Sequence, residues 1–554
     1  MNDAKKNINA WKWILKNGRK SLIYVILLAL LATAVSLISL RFTLASKAVL
    51  DIATGQQTGS LLSACLLLGV LLLIQLTIQV SINFINVQAN VKLEIALKRS
   101  VFKTLISRDY LSVSKYHSGE LLNRLTSDIN IIIGGIISIV PTICLLLTSI
   151  VGGFIILFRL DSLFAVAVLL VAPTLVLCGK LYSKRFKQLH KDCQTADGKT
   201  RSFMQEALQN ILVIKSFNNQ TDILDRNEQL QLDAYKLKLK RVKISIFANV
   251  CMFIFFNAGY YLALGYGAYR LSQGLITFGT LTAMLQLVGK IQSPFKDISS
   301  MIPQIFSVSA SVERIIELEE MPEEVSLTQG GCTYDELEKI VFDNVTFGYE
   351  ADKPVMKNAS FEINKGEFVV IGGESGIGKS TAIKLMLGIM SPNSGEIFVK
   401  TDKGNFQLGT ATRELFAYVP QGNLILSGTI RENVAFGKKN ASDEDIIKAL
   451  ELAQIWDYIS TLENGLDTVL GEKGLGLSEG QIQRISIARA LLYDAPVLLL
   501  DESTSALDER TEVELLTTLK SMTDKTCIII SHKKAAFDFC DKVIDYGNFK
   551  ENYL

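Results

Sequence analysis

Several features that define other classes of protein are missing from this sequence. Its 554 residues include eight cysteines, but no two of them form a Cys-x-x-Cys pair. The cysteine spacing therefore supports neither a zinc site nor a disulfide framework. The formal net charge is only +2, so there is no excess of basic residues that would indicate a nucleic-acid partner, and none is expected.

The amino-terminal segment also lacks the features of a cleaved signal peptide. Residues 1–20 are polar and basic, and the apolar run after them is too long for a signal-peptide hydrophobic region and has no small-residue cleavage site. We expect this segment to be retained. Trp11 and Trp13, on either side of Lys12, favour a helix at the membrane interface.

Long apolar segments are concentrated in the first half of the chain. Six of them have roughly the 20 residues needed to cross a hydrocarbon core. They cover residues 21–46, 61–83, 131–158, 162–182, 244–270 and 281–308. The pattern predicts an all-α, six-helix transmembrane domain over residues 1–320, a linker over 321–335 and a soluble α/β domain over 336–554.

The distribution of basic residues predicts the orientation of these spans. Lysine and arginine are frequent before the first span and in the connections 92–124 and 184–243, whereas residues 51–60 contain neither. Basic connections remain on the cytoplasmic side. Since an even number of spans returns the chain to its starting side, both termini and the α/β domain are predicted to be cytoplasmic, with the spans in the cell inner (plasma) membrane.

Two of the basic connections are longer than a loop requires. Residues 89–125 and 182–241 continue the helical periodicity of the flanking spans, which predicts helical hairpins that extend into the cytoplasm. Their tips are expected near residues 112–119 and 211–217. Such hairpins can transmit force to another domain.

A stripe of amides on the second span predicts contact with water or with other helices. Gln75, Gln79, Asn83, Asn86 and Asn90 are spaced 4, 4, 3 and 4 residues apart, which places them on one helical face. A substrate cavity and hydrogen bonding between helices both explain such a face. The substrate-cavity hypothesis comprises Gln75, Gln79, Asn83, Tyr260, Tyr261, Gln286 and Lys290.

The second half contains a phosphate-binding motif. Gly373–Ser380 reads GESGIGKS, which satisfies GxxxxGK[ST], and it lies between an apolar strand-like run and a predicted helix. Backbone N–H groups of such a loop converge on phosphate oxygens, Lys379 reaches the β- and γ-phosphates, and the Ser380 hydroxyl binds Mg²⁺. The expected ligand is a nucleoside triphosphate.

A second acidic motif follows a predicted buried strand. Residues 497–500 are apolar, and Asp501 and Glu502 come directly after them. A carboxylate at the end of a buried parallel strand is suited to position Mg²⁺, and the next acid can deprotonate an attacking water.

The combination of motifs resembles the ATP-binding cassette (ABC) family. Leu477–Gln481 reads LSEGQ and is similar to the family's LSGGQ signature; Tyr349 resembles the A-loop aromatic, Gln421 the Q-loop, Asp508 the D-loop and His532 the switch histidine. Residues 471–474 resemble the X-loop of exporters. Six spans ahead of one cassette is the layout of a half-exporter.

The resemblance implies a set of site residues. Catalytic roles are implied for Glu502 and His532, and Mg²⁺ contacts for Ser380, Gln421 and Asp501. Nucleotide contacts are implied for Tyr349, Gly373, Glu374, Ser375, Gly376, Ile377, Gly378, Lys379, Ser380, Thr381, Gln421, Ser478, Gly480, Gln481 and Asp508.

The resemblance also implies a working unit and an activity. In this family ATP is held between the P-loop of one cassette and the signature of another, so a chain with one cassette is expected to form a dimer, by default a homodimer, with a heterodimer containing a degenerate partner as the alternative. The implied function is ATP-driven export of an amphiphilic drug, lipid or peptide by alternating access. The alternative is a regulatory protein whose cassette gates a pore without pumping.

One residue departs from the family pattern. Glu479 occupies the signature position where glycine is usual. Its carboxylate either points toward the triphosphate and weakens closure by repulsion, or it points to solvent without consequence.

Overall fold

A computed structural model describes residues 12–14, 16–18, 22–324, 336–350, 353–374, 376–422, 425–471 and 476–549. The predictions for Trp11, Ser375, most of the linker and residues 472–474 lie outside these ranges. The chain forms two compact units, which are Met1–Lys103 with Ser118–Glu319, and Thr104–His117 with Glu320–Leu554. The tip of the first hairpin therefore belongs to the same unit as the cassette.

The first unit is built from long helices. With the tip of the first hairpin included, the helices are α1 (Leu22–Ala53), α2 (Leu61–Ile106), α3 (Tyr110–Ser114), α4 (Ser118–Asn123), α5 (Ile129–Leu160), α6 (Ser162–Gln209), α7 (Ile211–Ser216), α8 (Gln220–Ser272) and α9 (Phe278–Glu319).

Among the described residues, three helical stretches are long and apolar enough to cross a membrane. They are Leu22–Ala53, Leu61–Ile106 and Ser118–Leu160, and they contain the first three predicted spans. Helices α6, α8 and α9 run through the other three predicted ranges. All six ranges are thus helical, and the total of six spans stays a prediction.

The hairpin helices α6 and α8 are longer than a hydrocarbon core requires, and their extension into the cytoplasm stays a prediction. Helices α6 and α8 have 48 and 53 residues, which at the α-helical rise is about 72 and 80 Å against a core of about 30 Å. The short helix α7 lies between them at the predicted second tip, and α3 lies at the first.

Small residues allow the membrane helices to approach closely. A Cβ atom on Gly135 of α5 would lie 2.3 Å from Val308 of α9, and one on Gly152 would lie 2.5 Å from Leu40 of α1. Close approach at glycine is a common means of packing helices in a bilayer, where the apolar lipid provides little other driving force.

A buried ionic network joins the base of the first hairpin to α9. A π-helical turn covers Arg124–Asp128 and precedes α5. The Asp128 carboxylate is buried and accepts hydrogen bonds from Arg314 Nε at 2.7 Å and from Ser311 Oγ at 3.0 Å. Arg124 donates to the Arg314 carbonyl oxygen at 2.7 Å. A buried carboxylate with this many partners has much of its desolvation cost offset.

The second unit contains the α/β cassette. Its strands are β1 (Leu337–Phe347), β2 (Met356–Asn364), β3 (Phe368–Gly372), β4 (Ser394–Thr401), β5 (Gly404–Gln407), β6 (Phe416–Val419), β7 (Gly428–Thr429), β8 (Val469–Leu470), β9 (Val497–Asp501), β10 (Thr526–Ile530) and β11 (Lys542–Asp545). Its helices are α10 (Lys379–Met386), α11 (Ile430–Val434), α12 (Asp443–Leu452), α13 (Trp456–Ser460), α14 (Glu479–Tyr493), α15 (Glu509–Ser521) and α16 (Lys534–Phe539).

The central parallel sheet positions the site. Its order is β11-β3-β10-β9-β6, and every residue of β3, β9 and β10 is buried. Continuous apolar strands are typical of a parallel sheet covered on both faces. Because parallel strands end at one edge, the segments after β3, β6, β9 and β10 meet there. A separate antiparallel sheet has the order β2-β1-β4-β5.

The first hairpin tip is held by the cassette unit. The Asp109 N–H donates to the Pro322 carbonyl at 3.0 Å, and the Glu324 N–H donates to the Ser107 carbonyl at 3.2 Å. On α3, Leu111 packs against the apolar core of the cassette. Tyr110 lies beneath the Lys384 ammonium, 5.7 Å from its ring centroid.

Candidate nucleotide site

The phosphate-binding loop has a conformation that requires glycine. It follows β3 and ends where α10 begins at Lys379. Gly373, Gly376 and Gly378 have φ values of 133°, 77° and 107°, which side chains other than glycine rarely adopt. A Cβ on Gly378 would also lie 2.2 Å from Val355 Cγ1. The tight turn leaves the N-terminus of α10 directed at the loop.

Lys379 is buried at the mouth of this loop. Its ammonium donates to the Gly373 and Glu374 carbonyl oxygens at 3.0 and 2.8 Å and lies 2.9 Å from His532 Nε2. Burial lowers the pKa of Lys379, and the charges of Glu502 and Asp501 oppose that shift. A cation in this position is suited to phosphate, which would supply an opposite charge inside the loop.

The end of β9 brings a carboxylate to the same place. Asp501 is 1% exposed; Ser380 Oγ donates to Oδ1 at 2.9 Å and the Tyr418 hydroxyl donates to Oδ2 at 3.2 Å. Burial raises the pKa of Asp501, and these two hydrogen bonds act against the rise.

The donor set at Asp501 fits Mg²⁺. This ion takes oxygen ligands and is commonly held by one or two protein groups together with phosphates and water. The Ser380 hydroxyl and the Asp501 carboxylate are 2.9 Å apart and supply such oxygens. Among the described residues no cluster of three or more His, Cys, Asp or Glu side chains could hold a metal alone.

The predicted catalytic residues lie together. Gln421 Nε2 donates to Glu502 Oε2 at 2.6 Å, and His532 Nε2 is 3.6 Å from Glu502 Oε1. Glu502 has a φ of 49°, a left-handed conformation that costs energy for a non-glycine residue and is found most often at functional sites. The acid, the amide and the imidazole are thus arranged around one point beside the loop.

Tyr349 lies next to the P-loop helix. Its hydroxyl is 3.0 Å from Thr381 Oγ1, and its ring packs edge-on against Phe347. About half of the side chain, 51%, is exposed. An aromatic ring with a free face beside the phosphate loop is suited to stack on a base.

The signature residues form a separate group. Ser478 caps α14 through a capping box with Gln481, in which the Gln481 N–H donates to Ser478 Oγ at 3.3 Å. Glu479 is exposed in the first turn, where the helix dipole favours an acid. Asp508 caps α15 by accepting from the Thr511 N–H at 3.0 Å. No hydrogen bond in the described part of the chain joins Ser478 or Gln481 to the P-loop.

The proposed cavity residues are more dispersed. Gln79, Asn83 and Gln286 are exposed and Gln75 is half-buried. Tyr260 and Tyr261 are also exposed, with their ring centroids 5.8 Å apart. These residues lie on α2, α8 and α9, and within the described ranges no hydrogen bond joins the α2 amides to the other two helices.

Lys290 contributes to a contact between two helices. Its ammonium donates to the Ser39 carbonyl oxygen and, at 2.8 Å, to Thr43 Oγ1, so it joins α9 to α1. The bonds explain how a lysine is accommodated among membrane helices.

One polar contact in the site was missed by the motif analysis. Tyr418 is the only side chain of β6 with a polar group, in the sequence FAYV, and its hydroxyl contacts Asp501. A hydroxyl on an otherwise apolar strand immediately before the Q-loop is the signal that could have identified it.

Fold and site define a P-loop nucleotide-binding domain joined to a helical membrane region, and comparison with known proteins identifies the family. Residues 22–295 match the ABC transporter transmembrane region, and residues 356–505 match the ABC transporter domain. A lipid A-core flippase of Vibrio vulnificus (strain CMCP6), described as ATP-dependent, is 31% identical over 84% of this chain and 80% of its own length. The chain belongs to the ABC transporter family, and its carboxyl-terminal domain is a nucleotide-binding ATPase domain of that family.

Other relatives agree with this assignment. A probable multidrug resistance ABC transporter, YheI of Bacillus subtilis, is 29% identical over 81% of this chain and 78% of its own length. ABC transporter B family member 1 of Dictyostelium discoideum is 28% identical, and the chain spans only 53% of it. The structure of a bacterial Atm1-family ABC exporter with ATP bound has a TM-score of 0.79 and 25% identity, covering 96% of this chain and 94% of that one. The predicted fold class is therefore confirmed, as is the resemblance to half-exporters.

Proposed function

We propose that this chain is one half of an ATP-driven exporter that works as a homodimer in the cell inner (plasma) membrane. The observation that carries the proposal is the convergence of Lys379, Asp501, Glu502, Gln421 and His532 at one edge of the sheet. The phosphate-binding and water-activating residues are grouped within one chain, whereas its signature residues Ser478 and Gln481 make no described hydrogen bond to the P-loop, and the family resemblance implies that the signature of a second copy covers the nucleotide. Two copies are thus required to complete each site.

The roles of the site residues follow from their positions. Lys379 and the loop N–H groups bind the phosphates, and Ser380 and Asp501 would hold Mg²⁺, which supplies positive charge to the phosphate oxygens when it is bound. Glu502 accepts a proton from the attacking water, which Gln421 orients from its 2.6 Å contact. His532, 2.9 Å from the Lys379 ammonium and 3.6 Å from Glu502 Oε1, would contact the γ-phosphate. The water oxygen forms a bond to the γ-phosphorus while the bond between that phosphorus and the β–γ bridging oxygen breaks. The products are ADP and phosphate.

The second hairpin tip supports the dimer. Helix α7 and the residue after it expose four apolar side chains to water, and two of them, Leu212 and Phe217, are each 79% exposed. An apolar group of this kind outside the membrane favours an interface. We assign it to the cassette of a second copy, so that ATP-driven closure of the cassettes moves α6 and α8 and opens the cavity outward.

The cargo is proposed to be amphiphilic. The exposed amides on α2 and the tyrosine pair on α8 offer hydrogen bonds beside apolar surface. Relatives are named for multidrug resistance and for lipid A-core, which supports a drug-like or lipid cargo, and the exposed amides are the argument for a peptide. Lys290 is the weakest cavity candidate, because its hydrogen bonds are directed to α1.

The competing function is a gate or sensor that binds ATP without pumping. Inside-out vesicles containing the purified chain separate the two functions, with a fluorescent phospholipid and a cationic dye as probes. A pump accumulates a probe against its gradient only with hydrolysable ATP. Equilibration of the probe that stops at equal concentrations, or that proceeds with a non-hydrolysable analogue, would establish a gate.

A further inference from the structure

One short segment contacts both Asp501, the last residue of β9, and Glu502, which follows it. Strand β6 pairs with β9 in parallel, with Tyr418 opposite Leu499. The Tyr418 hydroxyl reaches Asp501 Oδ2 at 3.2 Å, and Gln421, three residues later, reaches Glu502 Oε2 at 2.6 Å. The entrance to the Q-loop therefore holds two consecutive carboxylates.

The hydrogen bond from Tyr418 holds the second carboxylate oxygen of Asp501. Ser380 occupies Oδ1 and Tyr418 occupies Oδ2, so the carboxylate cannot rotate about its Cβ–Cγ bond without losing a hydrogen bond. The group is almost fully buried, and hydrogen bonds to a buried charged group are worth more than those at a surface.

The surroundings argue that the hydroxyl serves the site rather than the core. The other side chains of β6, Phe416, Ala417 and Val419, are apolar and buried. A phenylalanine at position 418 would provide the same ring, without a partly buried hydroxyl that needs a partner.

We propose that Tyr418 is a positioning residue that orients Asp501 for the divalent cation. It acts through Asp501 and does not itself contact the nucleotide. The inference rests on the proposed function, because it assumes that a metal–ATP complex binds at Ser380 and Asp501. Its consequence is that the hydroxyl contributes to binding only when the metal is present.

The test compares nucleotide affinity with and without metal in Tyr418→Phe. The full chain in nanodiscs is titrated with trinitrophenyl-ATP in Mn²⁺ and again in EDTA, and the ratio of the two affinities measures the contribution of the metal. We expect the ratio to fall about tenfold or more, as for the loss of one hydrogen bond to a charged group, with the affinity in EDTA unchanged. The Mn²⁺ electron paramagnetic resonance spectrum of the bound complex should broaden as its ligand field becomes less uniform.

Tyr458→Phe is the matched control, because Tyr458 is a half-buried tyrosine on α13 of the same unit and outside the site. It should leave the ratio unchanged. An unaltered ratio in Tyr418→Phe, equal losses with and without metal, or the same fall in Tyr458→Phe would overturn the inference. A wild-type chain with no metal-dependent affinity would instead contradict the proposed function itself.

Discussion

The two hairpin tips differ in how their apolar residues are covered. At the first tip, Leu111 packs into the core of the cassette unit and Tyr110 lies beneath Lys384. At the second, Leu212 and Phe217 are each 79% exposed. The two tips have similar lengths and similar places in the sequence. Apolar side chains are covered by the cassette unit at the first tip, and they are exposed at the second.

The difference indicates which contacts one chain makes for itself. The first tip also pairs with residues 322–324 through two backbone hydrogen bonds, so it would follow any movement of its own cassette. The second tip retains an apolar surface that a partner cassette can bury. We infer that each cassette receives one tip from its own chain and one from the other copy.

The largest effect expected is that of trapping the closed dimer. Glu502→Gln removes the general base and should lower ATP turnover at least about 100-fold. In a cysteine-free background, a cysteine introduced as Leu212→Cys should become protected from maleimide when this variant binds ATP and Mg²⁺. Glu463→Cys, on an exposed part of the cassette, should remain reactive. Unchanged labelling at position 212 would contradict docking of the second tip.

A charge at the second tip should uncouple transport from hydrolysis. Burying one leucine contributes about 1.5–3 kcal/mol, so Leu212→Asp should reduce ATP-dependent uptake by tenfold or more. Gln209→Asp adds the same charge at an exposed position at the end of α6 and should transport normally. If Leu212→Asp transports as well as the wild type, Leu212 is not buried against a partner cassette during transport.

A milder effect is expected at the first tip. Tyr110→Ala loses the cation–π contact with Lys384, which at a partly exposed site is worth about 0.5–1 kcal/mol. We expect a two- to fivefold fall in cargo-stimulated ATPase activity. Tyr110→Phe retains the ring and should restore it; equal losses in both variants would show that the ring is not the relevant group.

The smallest effect is predicted for the unusual signature residue. Glu479 is exposed at the start of α14, so Glu479→Gly should change ATPase activity and nucleotide affinity less than about twofold, the range of an exposed charge near a helix end. An increase of tenfold in affinity would instead support the alternative, in which the carboxylate repels the triphosphate.

The parts of the site predictable from sequence were those carried by local motifs. The loop around Gly376 and the acids after β9 each depend on a few adjacent residues and on strands with continuous apolar sequence. Tyr418 was missed because its role depends on the pairing of β6 with β9, which brings residues about 80 positions apart into contact. No period or motif encodes that register.

The same limit applies to the membrane domain. The helices were predictable from length and hydropathy, and the hairpins from continued periodicity. The hydrogen bonds from Lys290 to α1 and the assignment of α3 to the cassette unit depend on tertiary packing. A lysine in a span has the same sequence signature whether it faces a cargo or a neighbouring helix.

The contact between α14 and the start of the D-loop, residues 505–508, has a consequence for the timing of ATP hydrolysis. Gln483 Nε2 donates to Ser505 Oγ at 3.0 Å, its Oε1 accepts from the Ala506 N–H at 3.1 Å, and a Cβ on Gly480 would lie 2.8 Å from the Ala506 carbonyl oxygen. The helix that would contact the ATP bound by the other copy is therefore hydrogen-bonded to a segment that begins three residues after Glu502, the proposed general base of this copy. In a symmetric dimer, ATP bound at one site would therefore affect the other site. The two sites would not hydrolyse ATP independently.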